Sequence, residues 1–444
     1  MTSLYDATGA LVQVWDSAGR LIWGEPPTPP DPPVPPSGPL LNVARRCSAV
    51  GMARTPGSVA GTFAETAHTL VVDVIDPVVE WVAVQPFAST ATGGIVRAAA
   101  RINGGAMHPI TWGGQTSVRI DVPVTAPITL TSDPLPLQGH AGDALILLAW
   151  IDPDEAGAAP SDLTSVLITD PGVGAGAWQT TPALSPTTSP GAVLTGGTWS
   201  LRPSRITAPS DQASWIVVGD SIMQQTWSWG EQAMDRRGLA AVKSAMGGDA
   251  YQYYPGRWPS RVGAHVPHVT SMLDQFGIND TGAEPLVIAA RALAFWRKAE
   301  GDGINTIVKS TLTLSASSSD GWATLEGQNP SGSNPTRSVF NDWLRDGAPL
   351  TLDGSTPVDA GTVDAIRCTT ISPDGTVTTR AEGHPLAAVT DVVAAIESSP
   401  NSGKYALGAP CDAMQGWADG LHPSPGIHAI LAERAARDLA LLGL

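Results

Sequence analysis

Cysteine, positive charge and long apolar runs are all scarce in this chain of 444 residues, and each scarcity removes a class of protein. The three cysteines, Cys47, Cys368 and Cys411, are far apart and odd in number. They match neither a disulfide framework nor the paired spacing of a zinc site, and read instead as small buried hydrophobes. Eight histidines are scattered without an HExxH or HxH pair, so no metal and no cofactor are expected. Lysine and arginine number 25 against 41 acidic residues, a net charge of −16 that argues against nucleic acid as a partner. No uninterrupted apolar run reaches the roughly 18 residues that a membrane span needs. The opening "MTSLYDATGA" has no basic stretch followed by an apolar one, so no conventional export signal is expected and the compartment stays unassigned.

What is present divides the chain into four parts. Residues 1–24 carry an internal echo: "LYDATGALVQV" is answered by "VWDSAGRLIW", with Asp6 and Gly9 recurring as Asp16 and Gly19. Each unit reads as strand, Asp-x-x-Gly turn and strand, a small β-hairpin segment with too little apolar area to fold alone. Residues 25–40 hold "EPPTPPDPPVPPSGP", a polyproline II spacer. A small tip on a stiff stalk is the pattern of a chain assembled onto a larger particle. From 41 to 209 the grammar is β. In "SVRIDVPV", Val118, Ile120 and Val122 alternate with polar residues, and "TLVVDVID", "EWVAVQPF", "IVRAAARI" and "ALILLAWI" add further short strands. Many strands without helices imply an all-β sandwich or jelly roll, with the stretch from Asp152 to Pro209 rich in loops.

Residues 210–444 alternate strands and helices. "SWIVVG" is a strand, Ile222 to Arg237 is helix-compatible, and "EPLVIAARALAFWRKAEG" is a helix followed by the strand "INTIVKSTLTL". In the last helix Ser424 is placed to cap, Pro425 suits the first turn, and Ile427, Leu431, Ala435, Leu439 and Leu442 share one face. This predicts a three-layer α/β/α domain with a parallel sheet. Ligands bind such sheets beyond the carboxyl ends of the strands.

Four blocks of this domain carry candidate chemistry. "IVVGDSIMQQTW" puts Ser221 at a strand end before a helix, the address of a nucleophile or of a mere capping turn. "WADGLHPS" supplies Asp419 and His422, a carboxylate able to hold an imidazole whose other nitrogen takes a serine proton. In "QFGINDTG" the Asn279 amide could face a developing oxyanion, and in "SAMGGDAY" the glycines 247 and 248 let a backbone N–H approach the same point.

In content and order these blocks resemble the SGNH hydrolase superfamily, also called GDSL esterases and lipases, over 214–444. The resemblance implies a flavodoxin-like catalytic fold, Ser221 as nucleophile, His422 as general base and Asp419 as its orienting carboxylate. It further implies an oxyanion hole from the N–H groups of Ser221 and Gly248 and the Asn279 side chain, with Gly247 the alternative if "GGDA" is aligned one place off. "VFNDWLRDG" and the β-segments "PITWGGQTSVRIDVPV" and "LTSDPLPL" also look like stretches found in some members. The stretch from Leu314 to Ser338, rich in serine, glycine and asparagine, replaces the usual proline-bearing loop and is expected to border the cleft.

The expected activity is ester hydrolysis through an acyl-serine, with O-acetylated carbohydrate the favoured substrate. The family contains many carbohydrate esterases, and Trp227, Trp229 and Trp258 lie near the blocks. Tryptophan faces suit sugar rings, and Trp227 and Trp258 are the candidates for that contact. No amphipathic lid segment favours long-chain lipids. The alternatives are a short-chain esterase or lipase of another substrate class, or a particle-attached glycan-binding protein with an accessory or vestigial esterase site.

Overall fold

The computed structural model describes residues 2–5, 11–15, 21–23, 38–48, 61–83, 93–121, 128–153, 176–179, 202–225, 228–372, 374–407 and 420–444. The chain divides into two compact units, Met1–Val34 and Pro35–Leu444. In the first, Thr2–Tyr5, Leu11–Trp15 and Leu21–Trp23 form an antiparallel sheet with Leu11–Trp15 in the middle. The two Asp-x-x-Gly turns and residues 25–37 of the proline-rich spacer lie outside the described residues.

The second unit is built on a parallel sheet of seven strands: β1 (Cys47–Ser48), β2 (Ser214–Gly219), β3 (Ala240–Ala245), β4 (Ser271–Asp274), β5 (Thr306–Ser310), β6 (Thr369–Thr370) and β7 (Ala388–Thr390). Their order is β6-β7-β5-β4-β2-β3-β1. Without the two edges, β3-β2-β4-β5-β7 is the 2-1-3-4-5 order of flavodoxin-like folds. Every residue of β2 is buried, as expected of a strand covered on both faces. Among its helices are α1 (Ser221–Gln224), α2 (Trp229–Arg237), α3 (Pro285–Gly301), α4 (Asn334–Arg345) and α5 (Pro425–Leu441). Helix α2 packs against α5, and α3 against α4, completing a three-layer α/β/α arrangement. Ser424 caps α5, its Oγ accepting the Ile427 N–H at 3.3 Å, and Ile427, Leu431, Ala435 and Leu439 are buried.

Two antiparallel sheets precede this layer. One orders Ile128–Thr131, Val78–Ala83, Arg205–Pro209 and Leu40–Asn42; the other centres on Gly93–Ile102, Ala144–Pro153 and Gly61–Thr69. Val79, Trp81 and Leu130 from the first share one core with Val96, Ala98, Leu145 and Leu147 from the second. That same core continues into the parallel sheet through Trp215 and Val242.

Some local expectations change. The helix-compatible stretch from Ile222 to Arg237 is not continuous, because α1 ends after Gln224 and α2 starts only at Trp229. The strand expected over "INTIVKSTLTL" covers only Thr306–Ser310. The serine-rich stretch from Leu314 to Ser338 is not simply a loop: Ala316–Ser318 pairs with Gln328–Pro330, and α4 begins at Asn334. The Asp320 carboxylate closes that hairpin by accepting from Ser318 Oγ at 2.9 Å and from the Thr324 N–H at 2.9 Å, turn chemistry that a composition count does not register.

Candidate active site

Strand β2 lies where the chain order reverses, since β3 is laid on one side of it and β4 on the other. Its last residue, Gly219, has no room for a side chain: a Cβ there would stand 2.5 Å from both Gln275 Oε1 and Met223 Cβ. The chain turns at once. Asp220 is fully buried and caps α1, its Oδ1 accepting the Ile222 N–H at 2.9 Å. Gln275 holds the same residue twice, accepting the Asp220 N–H at 3.1 Å and donating to Asp220 Oδ2 at 3.3 Å. Burial pushes the Asp220 carboxyl up to about 7, against the pull of these bonds and of the Lys309 charge. Ser221 follows as the first residue of α1, half-buried.

His422 reaches it from just before α5, with Nε2 2.8 Å from Ser221 Oγ. The residue that shapes this approach is Gly420, with φ at +63°. Its carbonyl accepts from the Ala316 N–H at 3.2 Å and from the Tyr405 hydroxyl at 3.2 Å, and a Cβ there would overlap Ala316 O at 1.5 Å. Trp322 from the hairpin packs edge-on against Tyr405. The serine-rich stretch therefore touches the loop that carries the histidine. Asp419, the expected orienting carboxylate, lies outside the described residues, as do Trp227 and Cys411.

The loops after β3 and β4 are tied to this corner. The Gly247 N–H donates to Gln224 Oε1 at 2.8 Å, whereas Gly248 is exposed with φ at +74°. Asn279 is exposed in a short turn after Gly277, and its Nδ2 donates to Asp249 O at 2.9 Å. One amide hydrogen is thereby used for positioning, and a second remains on the same nitrogen. The neighbouring Asp280 carboxylate accepts the N–H groups of Tyr251 at 2.9 Å and Gln252 at 3.3 Å. Trp258 is held by packing and by its indole N–H. It is 7% exposed, its indole N–H donates to Asp302 Oδ2 at 2.8 Å, and its ring packs on Tyr254 and Phe295.

The structure thus joins Ser221 directly to His422 and links the glycine turn and Asn279 to α1. Sequence reading missed Gln224, Gln275, Gly420, Tyr405 and Lys243. Only Lys243 carried a local signal, a lone charge inside the apolar run "LAAVKSAMGG". Among the described residues, no group of three or more histidine, cysteine or acidic side chains is placed to hold a metal ion. Cys47 and Cys368 are buried free thiols, with burial raising Cys47 to about 12 and moving Cys368 in the same direction.

Fold and site together define a flavodoxin-like α/β protein with a serine–histidine pair at the switch point of its sheet. The glycine-aspartate-serine, glycine and glycine-x-asparagine-aspartate blocks that resemble SGNH hydrolases all fall at the carboxyl ends of adjacent strands. No family model matches the chain, and no curated protein matches it. Among solved structures, it is similar to a putative lipolytic protein of the G-D-S-L family from Desulfitobacterium hafniense DCB-2, at 14% identity over 51% of this chain and 99% of that one, TM-score 0.35. It is also similar to a carbohydrate esterase family 2 enzyme with a carbohydrate-binding domain from Corynascus thermopiles, at 13% identity over 90% of this chain and 100% of that one, TM-score 0.35. A third is an acetylxylan esterase catalytic mutant from Geobacillus stearothermophilus, at 14% identity over 52% and 96%, TM-score 0.32.

Proposed function

We propose that the chain is a serine ester hydrolase that removes O-acetyl groups from carbohydrate. The observation that carries this reading is the 2.8 Å approach of His422 Nε2 to Ser221 Oγ at the end of a central parallel strand. With a neutral imidazole, the hydroxyl donates to Nε2 and Ser221 attacks the ester carbonyl as its proton passes to His422. The imidazolium returns that proton to the leaving alcohol, and water, activated by the same nitrogen, releases the acid from the acyl-serine. Asp419 is the proposed partner of Nδ1. The backbone N–H groups of Ser221 and Gly248 and the free amide hydrogen of Asn279 are the proposed oxyanion donors. The engagement of the Gly247 N–H by Gln224 supports Gly248 over its neighbour.

The carbohydrate assignment rests on the resemblance and on the antiparallel sheets that share a core with the α/β layer. Its test compares acetate release from O-acetylated glycans with hydrolysis of short- and long-chain p-nitrophenyl esters. Preference for the glycan supports the assignment, and preference for long acyl chains overturns it in favour of a lipase. Full p-nitrophenyl acetate hydrolysis by purified Ser221→Ala overturns the serine mechanism itself. A second reading, attachment to a larger particle, is favoured by the separate compact unit Met1–Val34.

A further inference from the structure

Three charged side chains are buried beside α1 and take no part in the chemistry just described. Lys243, on β3 opposite Val217 of β2, has its Nζ 2.8 Å from Glu231 Oε2. Glu231 stands in the first turn of α2, and its Oε1 accepts Arg202 Nη1 at 2.9 Å. Arg202 also reaches Arg46 O at 3.4 Å, so it spans to the strand-rich part of the unit. Lys243 and Arg202 side chains are each 1% exposed and that of Glu231 10%. Burying such charges is costly before they pair, and apolar residues of similar volume are often as stable or more so. The lysine must therefore do something that an apolar residue would not.

What it does is hold backbone. Lys243 Nζ donates to Gln224 O and to Gln225 O, both at 3.1 Å. These are carbonyls at the end of α1, which a four-residue helix leaves without intrahelical partners, and that of Gln225 also accepts the Ser228 N–H at 3.0 Å. Ser221 opens that helix and Gln224 closes it, with the Gln224 side chain holding the Gly247 N–H at 2.8 Å. A single ammonium group is thus one residue away from the glycine turn at one end and one helical turn away from the nucleophile at the other.

We propose that Lys243 is a positioning residue for ester hydrolysis: held by Glu231, it clamps the end of α1 and so keeps the Ser221 hydroxyl in register with the Gly247–Gly248 turn. This rests on the serine hydrolase reading. A displacement of about 1 Å in such a constellation can cost about 10²-fold in rate. Lys243→Met removes the carbonyl clamp together with the Lys243–Glu231 pair, and leaves Glu231 Oε1 paired with Arg202. Its kcat on p-nitrophenyl acetate is expected to fall by about 10- to 100-fold with KM changed less than about 2-fold. Phosphonylation of Ser221 by a fluorophosphonate should slow in parallel, and hydrogen exchange at the Gly247 amide should quicken.

Arg202→Met is the structural control, because it loosens the same ion cluster without touching α1. It should lower Tm and leave kcat within about 3-fold of wild type, the range of a merely structural change. Wild-type kcat and Gly247 protection in folded Lys243→Met overturn the proposal. So does a loss of kcat that tracks the loss of Tm equally in both variants, which assigns the cluster to stability. If Lys243→Met does not fold, Gln224→Leu cuts the far end of the same chain: a fall in kcat at constant Tm supports the clamp, and unchanged kcat overturns it. Should Ser221→Ala keep full activity, the hydrolase reading is what fails, and Gly247 exchange still reports whether Lys243 holds the turn.

Discussion

Asn279 Nδ2 donates to the carbonyl oxygen of Asp249 at 2.9 Å, so the loops that leave β3 and β4 hold each other at the carboxyl ends of these strands. Two consequences follow from one amide. Asn279→Ala removes the proposed oxyanion donor and also frees the Asp249 carbonyl. We expect kcat on p-nitrophenyl acetate to drop by about 10²–10³. Thermal unfolding should shift only slightly, because Asn279 is exposed.

Gly420→Ala should be severe out of proportion to its size. The new methyl would overlap Ala316 O and the residue would sit at a φ of +63°, so the loop bearing His422 has to move. The expected result is a folded protein in which fluorophosphonate labelling of Ser221 is strongly slowed. Wild-type labelling would show that the histidine does not depend on this glycine.

Trp258 tests the sugar-contact expectation directly. Its ring is packed among Tyr254 and Phe295 and its N–H is occupied by Asp302. Trp258→Ala should therefore cost about 3–5 kcal/mol of stability as a core truncation. Below the lowered Tm, KM for an acetylated glycan should be unchanged.

Acid should destabilise the fold well above the range where carboxylates usually act. Burial lowers His68 and His428 to about 3 and His384 to about 4, so each is neutral in the native state where the unfolded chain would be charged. In the window from about 6.5 down to those values the unfolded state binds more protons, and stability falls as pH falls. Asp220 works the other way. Its raised carboxyl contributes stability that is complete below its ordinary value of 3.8 and is lost as pH rises through about 7. Burial also raises Asp280 and Asp438, but the lowered histidines, His68, His265, His268, His384 and His428, outnumber these carboxyls, so Tm should decrease from pH 7 to pH 5. His428→Asn should flatten that slope, and Asp220→Asn should steepen it.

Removal of residues 1–34 should leave the Tm of the remainder and its rate on p-nitrophenyl acetate unchanged, because Met1–Val34 forms its own compact unit. Pull-down with full-length and shortened protein then reads the particle-attachment reading. A partner retained equally by both would count against it.

Much of the α/β layer was legible because its signals are local. "SWIVVG" is a doubly covered strand by composition alone, and Ser424-Pro425 announces α5 by its cap and first turn. The order of the four blocks supplied the pairing of Ser221 with His422 across a separation of 201 residues, which no local rule can provide. What stayed hidden is held by long-range contacts. Cys47–Ser48 is too short to show any period, and its place beside β3 is set only once Val242 and Lys243 are there to pair with it. Likewise, the use of Lys243 depends on where the carbonyls of 224 and 225 fall, and the hairpin after Leu314 depends on one aspartate acting as its own turn template.

That marginal pair of residues, Cys47 and Ser48, limits how freely this architecture can be cut and rejoined. Because a ribbon from the strand-rich part seals the outer margin of the parallel sheet, transplanting the α/β half alone would bare the backbone of β3 to any passing strand. Grafting experiments, and natural recombination, would have to carry this short tab along with the half that it closes.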